Sequence, residues 1–410
     1  MEFTKYRLGD IADIVNGATP STDVEEYYNG NIPWITPKDL SEQSSKYIRN
    51  GERCITEEGY KNCNTNIIPA HNILMSSRAP IGLLAINEID CCTNQGFKSL
   101  ILDNSKADVE YLYYYLKVHM PEIEKLGSGT TFKEVSKDAL NNLEILIPDI
   151  VNQKRVAQSL YIIDKKITIN RRINERLEGM AKLLYDYWFV QFEFPNDEGK
   201  PYKSSGGKMV WNEKLKREIP EGWEVKNIGN MVELNIERIS SQDISSEQYT
   251  PIEVLPQNRM SFSDVASLDK AVSGLCRYKK YDILLSNRRV YFHKICIAPF
   301  DGITRDTIFI IKTNKQNYQG FIYETLNTDH FFAYAQKNSY GSEQPVLGWT
   351  TVANYYFAKP NNNIDEKYSR KVQNIIDTVI LNEIEIMKMT SLRDFLLPML
   401  MNGQVEIKEK

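Results

Sequence analysis

No run in these 410 residues approaches the roughly eighteen apolar residues that a bilayer core requires. The opening Met1-Glu2-Phe3-Thr4-Lys5 lacks the basic-then-apolar order of a secretory leader. Cysteine is scarce: Cys54, Cys63, Cys91, Cys92, Cys276 and Cys296 form no C-x-x-C pair, so no disulfide framework is expected. His71, His119, His293 and His330 are the only histidines, and none has zinc-ligand spacing with another or with the cysteines. These absences predict a cytoplasmic protein with no membrane partner and no metal site. No Pro-Pro pair occurs, which excludes the Asn/Asp-Pro-Pro-aromatic loop of an amino-methyltransferase. Gly206-Gly207-Lys208-Met209 lacks both the earlier glycine and the following Ser/Thr of a phosphate loop. Glu406-Ile407-Lys408 mimics the end of a nuclease motif but has no core sequence around it. The chain therefore reads as non-catalytic.

An excess of positive charge is also missing. Lys and Arg number 50 against 54 Asp and Glu, for a net charge of −4. Residues 1–148 carry −7, residues 149–219 carry +4, residues 220–360 balance, and residues 361–410 carry −1. Strong non-specific DNA affinity needs many phosphates neutralised. Either the chain does not bind DNA, or companion proteins supply much of the electrostatic grip.

What is present is a repeat. Tyr6-Arg7-Leu8-Gly9-Asp10-Ile11 is echoed by Trp223-Glu224-Val225-Lys226-Asn227-Ile228. Asn72-Ile73-Leu74-Met75-Ser76-Ser77-Arg78 returns as Asp282-Ile283-Leu284-Leu285-Ser286-Asn287-Arg288. Ile147-Pro148 matches Lys359-Pro360, and Ile163-Asp164 matches Ile376-Asp377. In each unit short apolar runs alternate with turn signals, as strands do. A helix is expected over Val109–Leu126 and another over Gln319–Gln336. The class is mixed α/β (α+β), duplicated. With 42 % apolar and 11 % aromatic residues the chain can bury several cores.

A long helix follows each unit. Val156, Leu160, Ile163, Ile167, Asn170, Asn174, Leu177, Ala181, Leu184 and Trp188 step by fours and threes. Val372, Ile375, Val379, Asn382, Ile386 and Met389 do the same, followed by Leu392 and Leu396. The pattern fits amphipathic helices packed on domain cores. It also fits two helices paired antiparallel, with Asn170, Asn174 and Asn382 fixing the register at some cost in stability. A helix of about 40 residues would rise roughly 60 Å, a spacer between two globules. Phe194 to Lys208, rich in Pro, Gly, Ser and Lys, reads as a surface linker.

Taken together, several segments resemble the specificity subunits of type I restriction-modification systems. They are Tyr6–Ile11, Ile32-Pro33-Trp34-Ile35-Thr36, Asn94-Gln95-Gly96-Phe97, and Gly127-Ser128-Gly129-Thr130-Thr131 leading to Ile147-Pro148. Gln153–Ala157, Leu183–Phe189, Ile219-Pro220-Glu221-Gly222-Trp223 and Leu392–Gly403 continue the resemblance over essentially the whole chain. It implies two α/β target-recognition domains separated by two helices in an antiparallel coiled coil with pseudo-two-fold symmetry. The corresponding segments are 1–148 (first recognition domain), 149–192 (first spacer helix), 193–219 (linker), 220–360 (second recognition domain), 361–403 (second spacer helix) and 404–410 (tail). Each domain would read one half of a split double-stranded DNA target. The helices would set the gap and dock two methyltransferase (modification) subunits, to which two motor-nuclease (restriction) subunits add. S-adenosylmethionine, ATP and Mg²⁺ would belong to those partners, with no cofactor in this chain. Gly341-Ser342-Glu343-Gln344-Pro345 departs from the first unit's Gly-Ser-Gly-Thr-Thr, which weakens residue-by-residue transfer there.

DNA-reading candidates are polar side chains able to reach base edges or phosphates. In the first unit they are Thr36, Lys38, Arg78, Asn94, Gln95, Lys98, Thr130, Thr131 and Lys133, with turn or cap roles the competing reading for Thr36 and Asn94. In the second they are Lys279, Lys280, Asn287, Arg288, Arg289, His293 and Arg305, with a solvated charge cluster the competing reading. Two other functions stay open: a protein-interaction scaffold that avoids DNA, and an enzyme without recognisable motifs.

Overall fold

The computed structural model describes residues 2–43, 45–129, 133–315, 318–341, 345–361 and 363–407. The chain forms two compact units, Met1–Thr168 with Thr390–Lys410, and Ile169–Met389. The division falls inside both long helices, Ile150–Tyr185 and Ile364–Met401, so each unit contains part of each helix.

The first unit is built on a five-stranded sheet in the order Ala12–Asn16, Lys98–Leu102, Ile73–Ser77, Ile81–Asn87, Tyr47–Ile48. A three-stranded sheet (Arg53–Ile55, Tyr28–Ile35, Cys92–Thr93) adjoins it, and Phe3–Arg7 pairs antiparallel with Glu144–Pro148. Neighbouring strand residues face opposite ways. Cys91 accordingly packs with Ile68 and Phe97, while Cys92 packs with Trp34 and Ile55 in a separate core. The helix expected over Val109–Leu126 is two helices, Val109–Val118 and Met120–Lys125, meeting at His119. Pro121 explains the break, because it donates no N–H and strains the helical backbone before it.

In the second unit Val232–Asn235, Ile308–Thr313, Ile283–Ser286 and Ile295–Ile297 form an antiparallel sheet. Ile283 pairs with Ile297 as Ile73 pairs with Ile86 in the first unit. A second four-stranded sheet runs Arg238–Ile239, Leu275–Tyr278, Gly302–Arg305, Gln248–Tyr249. The expected Gln319–Gln336 helix is also split, into Gln319–Leu326 and Asp329–Lys337, because the Thr328 hydroxyl accepts from Phe331 N and starts a new helix.

The stretch read as a surface linker is folded. Phe194 stacks on Tyr202 (4.6 Å) and on Trp223 (5.1 Å), and Met209–Asn212 pairs with Arg217–Pro220 as a hairpin. Its Gly, Ser and Lys content masked the aromatic anchors, and those decide the packing.

Within the second unit the two helix segments run antiparallel. Asn170 bonds Glu385, Asn174 bonds Val379 and Glu383, and the Tyr368 hydroxyl donates to the Ala181 carbonyl. Asn382 Nδ2 donates to Asn174 Oδ1 at 2.7 Å. Asn170 and Asn174 are fully buried and every one of these polar groups has a partner. Within the first unit Val156 and Leu160 pack with Leu397, Leu400 and Met401. Leu392 does not join that seam and is 49 % exposed. Continuing the three-four stepping from Met389 places Arg393 inward instead, where it pairs with Asp164 at 3.0 Å.

Candidate nucleic-acid interface

In the first unit the candidates gather where Ile73–Ser77 ends. Ser77 N donates to Gly96 O (2.7 Å), and Asn94 N donates to Ile35 O (3.0 Å), bringing the 36–38, 77–80 and 94–96 loops together. Gly17 completes the cluster, since a Cβ there would overlap the Asn94 carbonyl. Ser128 and Glu134 exchange backbone hydrogen bonds at 3.0 Å, closing a hairpin against Ser77 through Val135 N. Thr130 and Thr131 lie outside the described residues, and Lys133 is exposed on the hairpin's return.

Several of these side chains are already engaged. Thr36 caps the Pro37–Glu42 helix, with Asp39 accepting from its N–H (2.7 Å) and hydroxyl (2.6 Å). Asn94 Oδ1 accepts from Gly96 N at 2.9 Å, and Gln95 bonds Thr19. Lys38 is exposed but pairs with Glu52 at 2.9 Å. Glu134 is the organiser that sequence reasoning missed. It accepts from buried Lys98 at 2.8 Å and faces Arg78 at 3.5 Å. Burial pushes the Glu134 carboxyl up, yet Lys98 and Arg78 outweigh it and hold the group below its ordinary value. Lys98 is thus committed inside the unit, while Arg78 keeps part of its guanidinium in solvent.

The second unit repeats this frame. Leu347 N donates to Asn287 O as Val135 N donates to Ser77 O, and Tyr340 and Val346 exchange the pair of bonds made by Ser128 and Glu134. Ala79 and Arg289 stand one residue beyond the equivalent arginines, and both have φ 48°. A side chain other than glycine in that region is costly, and such strain clusters at binding loops. Here the glutamate is absent: Val346 occupies the place of Glu134. Among the described residues, Arg288 and exposed Arg289 consequently face no carboxylate. Tyr291 and Tyr340, 46 % and 64 % exposed, lie on the same loops, and Tyr340 is a further residue the sequence reading passed over.

The remaining second-unit candidates divide. Asn287 is buried and donates to Asp306 O at 2.8 Å, so it shapes the loop. Arg305, half-buried at the end of Gly302–Arg305, lies on the same side because Asn287 N bonds the nearby Thr307 carbonyl. His293 stacks flat on Phe332 at 4.0 Å. Lys279 and Lys280 are not brought to this loop. They precede Ile283–Ser286, whereas Arg288 follows it, and Asp301 holds both, through Lys279 Nζ (3.0 Å) and Lys280 N (2.9 Å).

No group of His, Cys, Asp and Glu able to hold a metal occurs among the described residues, and none of their helices is long and apolar enough to cross a membrane.

The duplicated α+β frame presents arginine-bearing loops, and residues 1–179 match the type I restriction modification DNA specificity domain. The chain belongs to the family of type I restriction enzyme specificity subunits. It is 32 % identical to the MjaIX specificity subunit of Methanocaldococcus jannaschii, over 98 % of this chain and 93 % of that one. It is 30 % identical to the EcoR124I/EcoR124II specificity subunit of Escherichia coli, over 47 % and 48 %. The crystal structure of the type I restriction-modification S subunit from M. genitalium shares the fold, with a TM-score of 0.59 at 14 % identity, covering 100 % of this chain and 97 % of that one.

Proposed function

We propose that this chain is the non-catalytic sequence-reading subunit of a type I restriction-modification complex, each unit reading one half of a bipartite double-stranded DNA target. The observation that carries the reading is the pair Arg288 and Arg289, which among the described residues face no carboxylate and sit on a strained loop whose frame recurs around Arg78. Arginine can bond guanine O6 and N7 bidentately, and exposed aromatics beside it suit contact with a duplex. Buried Asn170 and Asn174, with half-buried Asn382, fix the register of the helix pair, and the helices set the gap between half-sites.

The same helices dock two methyltransferase subunits, which two motor-nuclease subunits join. Exposed Ile169, Ile173, Met180 and Leu183, which run along the first long helix outside its buried seam, support a protein partner there. S-adenosylmethionine, ATP and Mg²⁺ act in those partners, and the complex works in the cytoplasm. The near-neutral to acidic charge of the two recognition segments fits a reader whose companions supply most of the phosphate contacts.

Methylation mapping of DNA treated with this chain plus its methyltransferase partner tests the proposal. A single two-part motif with a fixed gap is expected. Assembly that needs no DNA and shows no sequence preference would favour the scaffold reading, which the acidic first unit supports.

A further inference from the structure

Each unit drives one buried or half-buried cation from a sheet-edge loop into carboxylates of its long helices. In the first unit it is Lys46, whose side chain is 8 % exposed. Its ammonium meets Glu110 at 2.6 Å and Asp164, on the first long helix, at 3.6 Å. It donates to the Tyr114 hydroxyl at 2.8 Å and lies 4.6 Å from the centre of that ring. Asp164 is held in turn by Arg393 of the second long helix at 3.0 Å. In the second unit Arg259 reaches Glu178, on the first long helix, at 3.1 Å and Glu383, on the second, at 4.0 Å.

The two cations lie within one residue of corresponding places. The Lys46 carbonyl accepts from Ile86 N (2.8 Å), and that of Met260, next to Arg259, accepts from Ile297 N (2.7 Å). Ile86 and Ile297 are the residues paired with Ile73 and Ile283 in the repeat. The carboxylate-bearing element differs between the units, so the similarity lies in the arrangement and not in copied side chains.

Apolar packing also joins each globule to its helices, as Val156 and Leu160 do in the first unit. Such burial is non-directional and tolerates rotation. A cation held between carboxylates does not, and in some proteins buried ion pairs act on geometry more than on stability. We propose that Lys46 and Arg259 are positioning residues, each fixing the angle at which a recognition globule sits on its own helix segments. This rests on the DNA-reading proposal above. On that reading, the two angles determine how sharply the gap between half-sites is defined.

The test uses the full chain with its methyltransferase partner on a DNA library whose gap length is randomised, followed by sequencing of methylated sites. Lys46→Met and Arg259→Met are each expected to admit gaps about one base pair longer or shorter while leaving both half-site sequences intact. Lys46→Arg and Arg259→Lys should restore the single gap, which a merely destabilised fold would not explain. If Lys46→Met does not fold, Arg259→Met, at a more exposed site, decides the matter. Folded methionine variants with an unchanged gap, or with altered half-site bases, would overturn the proposal. A wild-type complex lacking any two-part motif would instead overturn the DNA-reading assignment beneath it.

Discussion

The hydroxyl of Tyr281 donates to Oδ1 of Asp377 at 2.9 Å, tying a sheet turn of the second unit to its long helix. Asp377 is the repeat counterpart of Asp164, which accepts from the Tyr114 hydroxyl in the first unit. The Ile-Asp pair that recurs in the sequence therefore marks a tyrosine-to-aspartate fastening used twice, with the tyrosine drawn from a different element each time. Tyr281→Phe should cost roughly 1.5–3 kcal/mol, the worth of a hydrogen bond to a charged group. Chemical denaturation of the full chain checks this, and a change below a few tenths would show that Gln373, also bonded to Asp377, suffices alone.

Replacing Arg288 and Arg289 together by alanine should weaken DNA binding by about 1–3 kcal/mol for each arginine that pairs with a base, with relaxed preference in one half-site. Equal weakening on all sequences, with a shallower salt dependence, would identify phosphate contacts instead. Affinity unchanged at low and high salt would return the pair to solvated surface.

Val346→Glu should recreate in the second unit the carboxylate that Glu134 provides in the first. The new group would pair with Arg288 and lower DNA affinity without lowering the melting temperature. The converse change, Glu134→Val, should release Arg78 but leave Lys98 buried and uncompensated, so it should destabilise the first unit. Binding and melting curves on both variants separate these effects, and equal DNA affinity for Val346→Glu and wild type would contradict the assignment of Arg288.

Stability should fall with rising pH through the buried acids of the second unit. Burial pushes the Glu324 carboxyl up to about 8 against the lowering pull of Asn327 and Lys182, and pushes Glu178 up to about 7 despite Arg259. A raised folded-state pKa gives stability that is complete below the ordinary glutamate value of about 4.3 and lost as pH climbs through the folded value. For Glu324 the full swing is on the order of 3–5 kcal/mol. Melting temperatures between pH 6 and pH 9 should therefore decline, and Glu324→Gln should flatten the upper part of the decline. A wild-type curve flat over that range would refute the buried-acid account.

Inserting four residues near Asn170 lengthens the first long helix by roughly 6 Å, or one to two base pairs at about 3.4 Å each. The methylated motif should keep its half-sites and gain that much gap, with some loss of stability because Asn174 loses its match with Asn382 and Glu383. A fully active variant with the original gap would leave the helices as partner-docking elements only.

Much of the frame was legible because it is local or periodic. The repeat located equivalent strands, and four-three stepping found Asn170, Asn174 and Val379 in the seam. It failed at Leu392, where one misplaced step hid the inward turn of Arg393. Glu134 and Lys46 were illegible for another reason: their partners lie up to 118 positions away, from Lys46 to Asp164, and no spacing rule reports such contacts. The hairpin at Met209–Pro220 was missed because composition was weighed over its anchoring rings. Among the DNA-reading candidates, the sequence named Arg288 and Arg289 but could not tell that Lys98 is spent on Glu134 or that Lys279 and Lys280 lie at the far end of their strand.

The clasps of the two hairpins, Ser128 with Glu134 and Tyr340 with Val346, consist of main-chain bonds at 2.8–3.0 Å that any residue but proline can make. The closure therefore asks nothing of the side chains at Ser128, Glu134, Tyr340 and Val346. Closure and charge are thus set by different atoms of the same residues, so the carboxylate at Glu134 and the methyls at Val346 can differ while the backbone bonds stay alike.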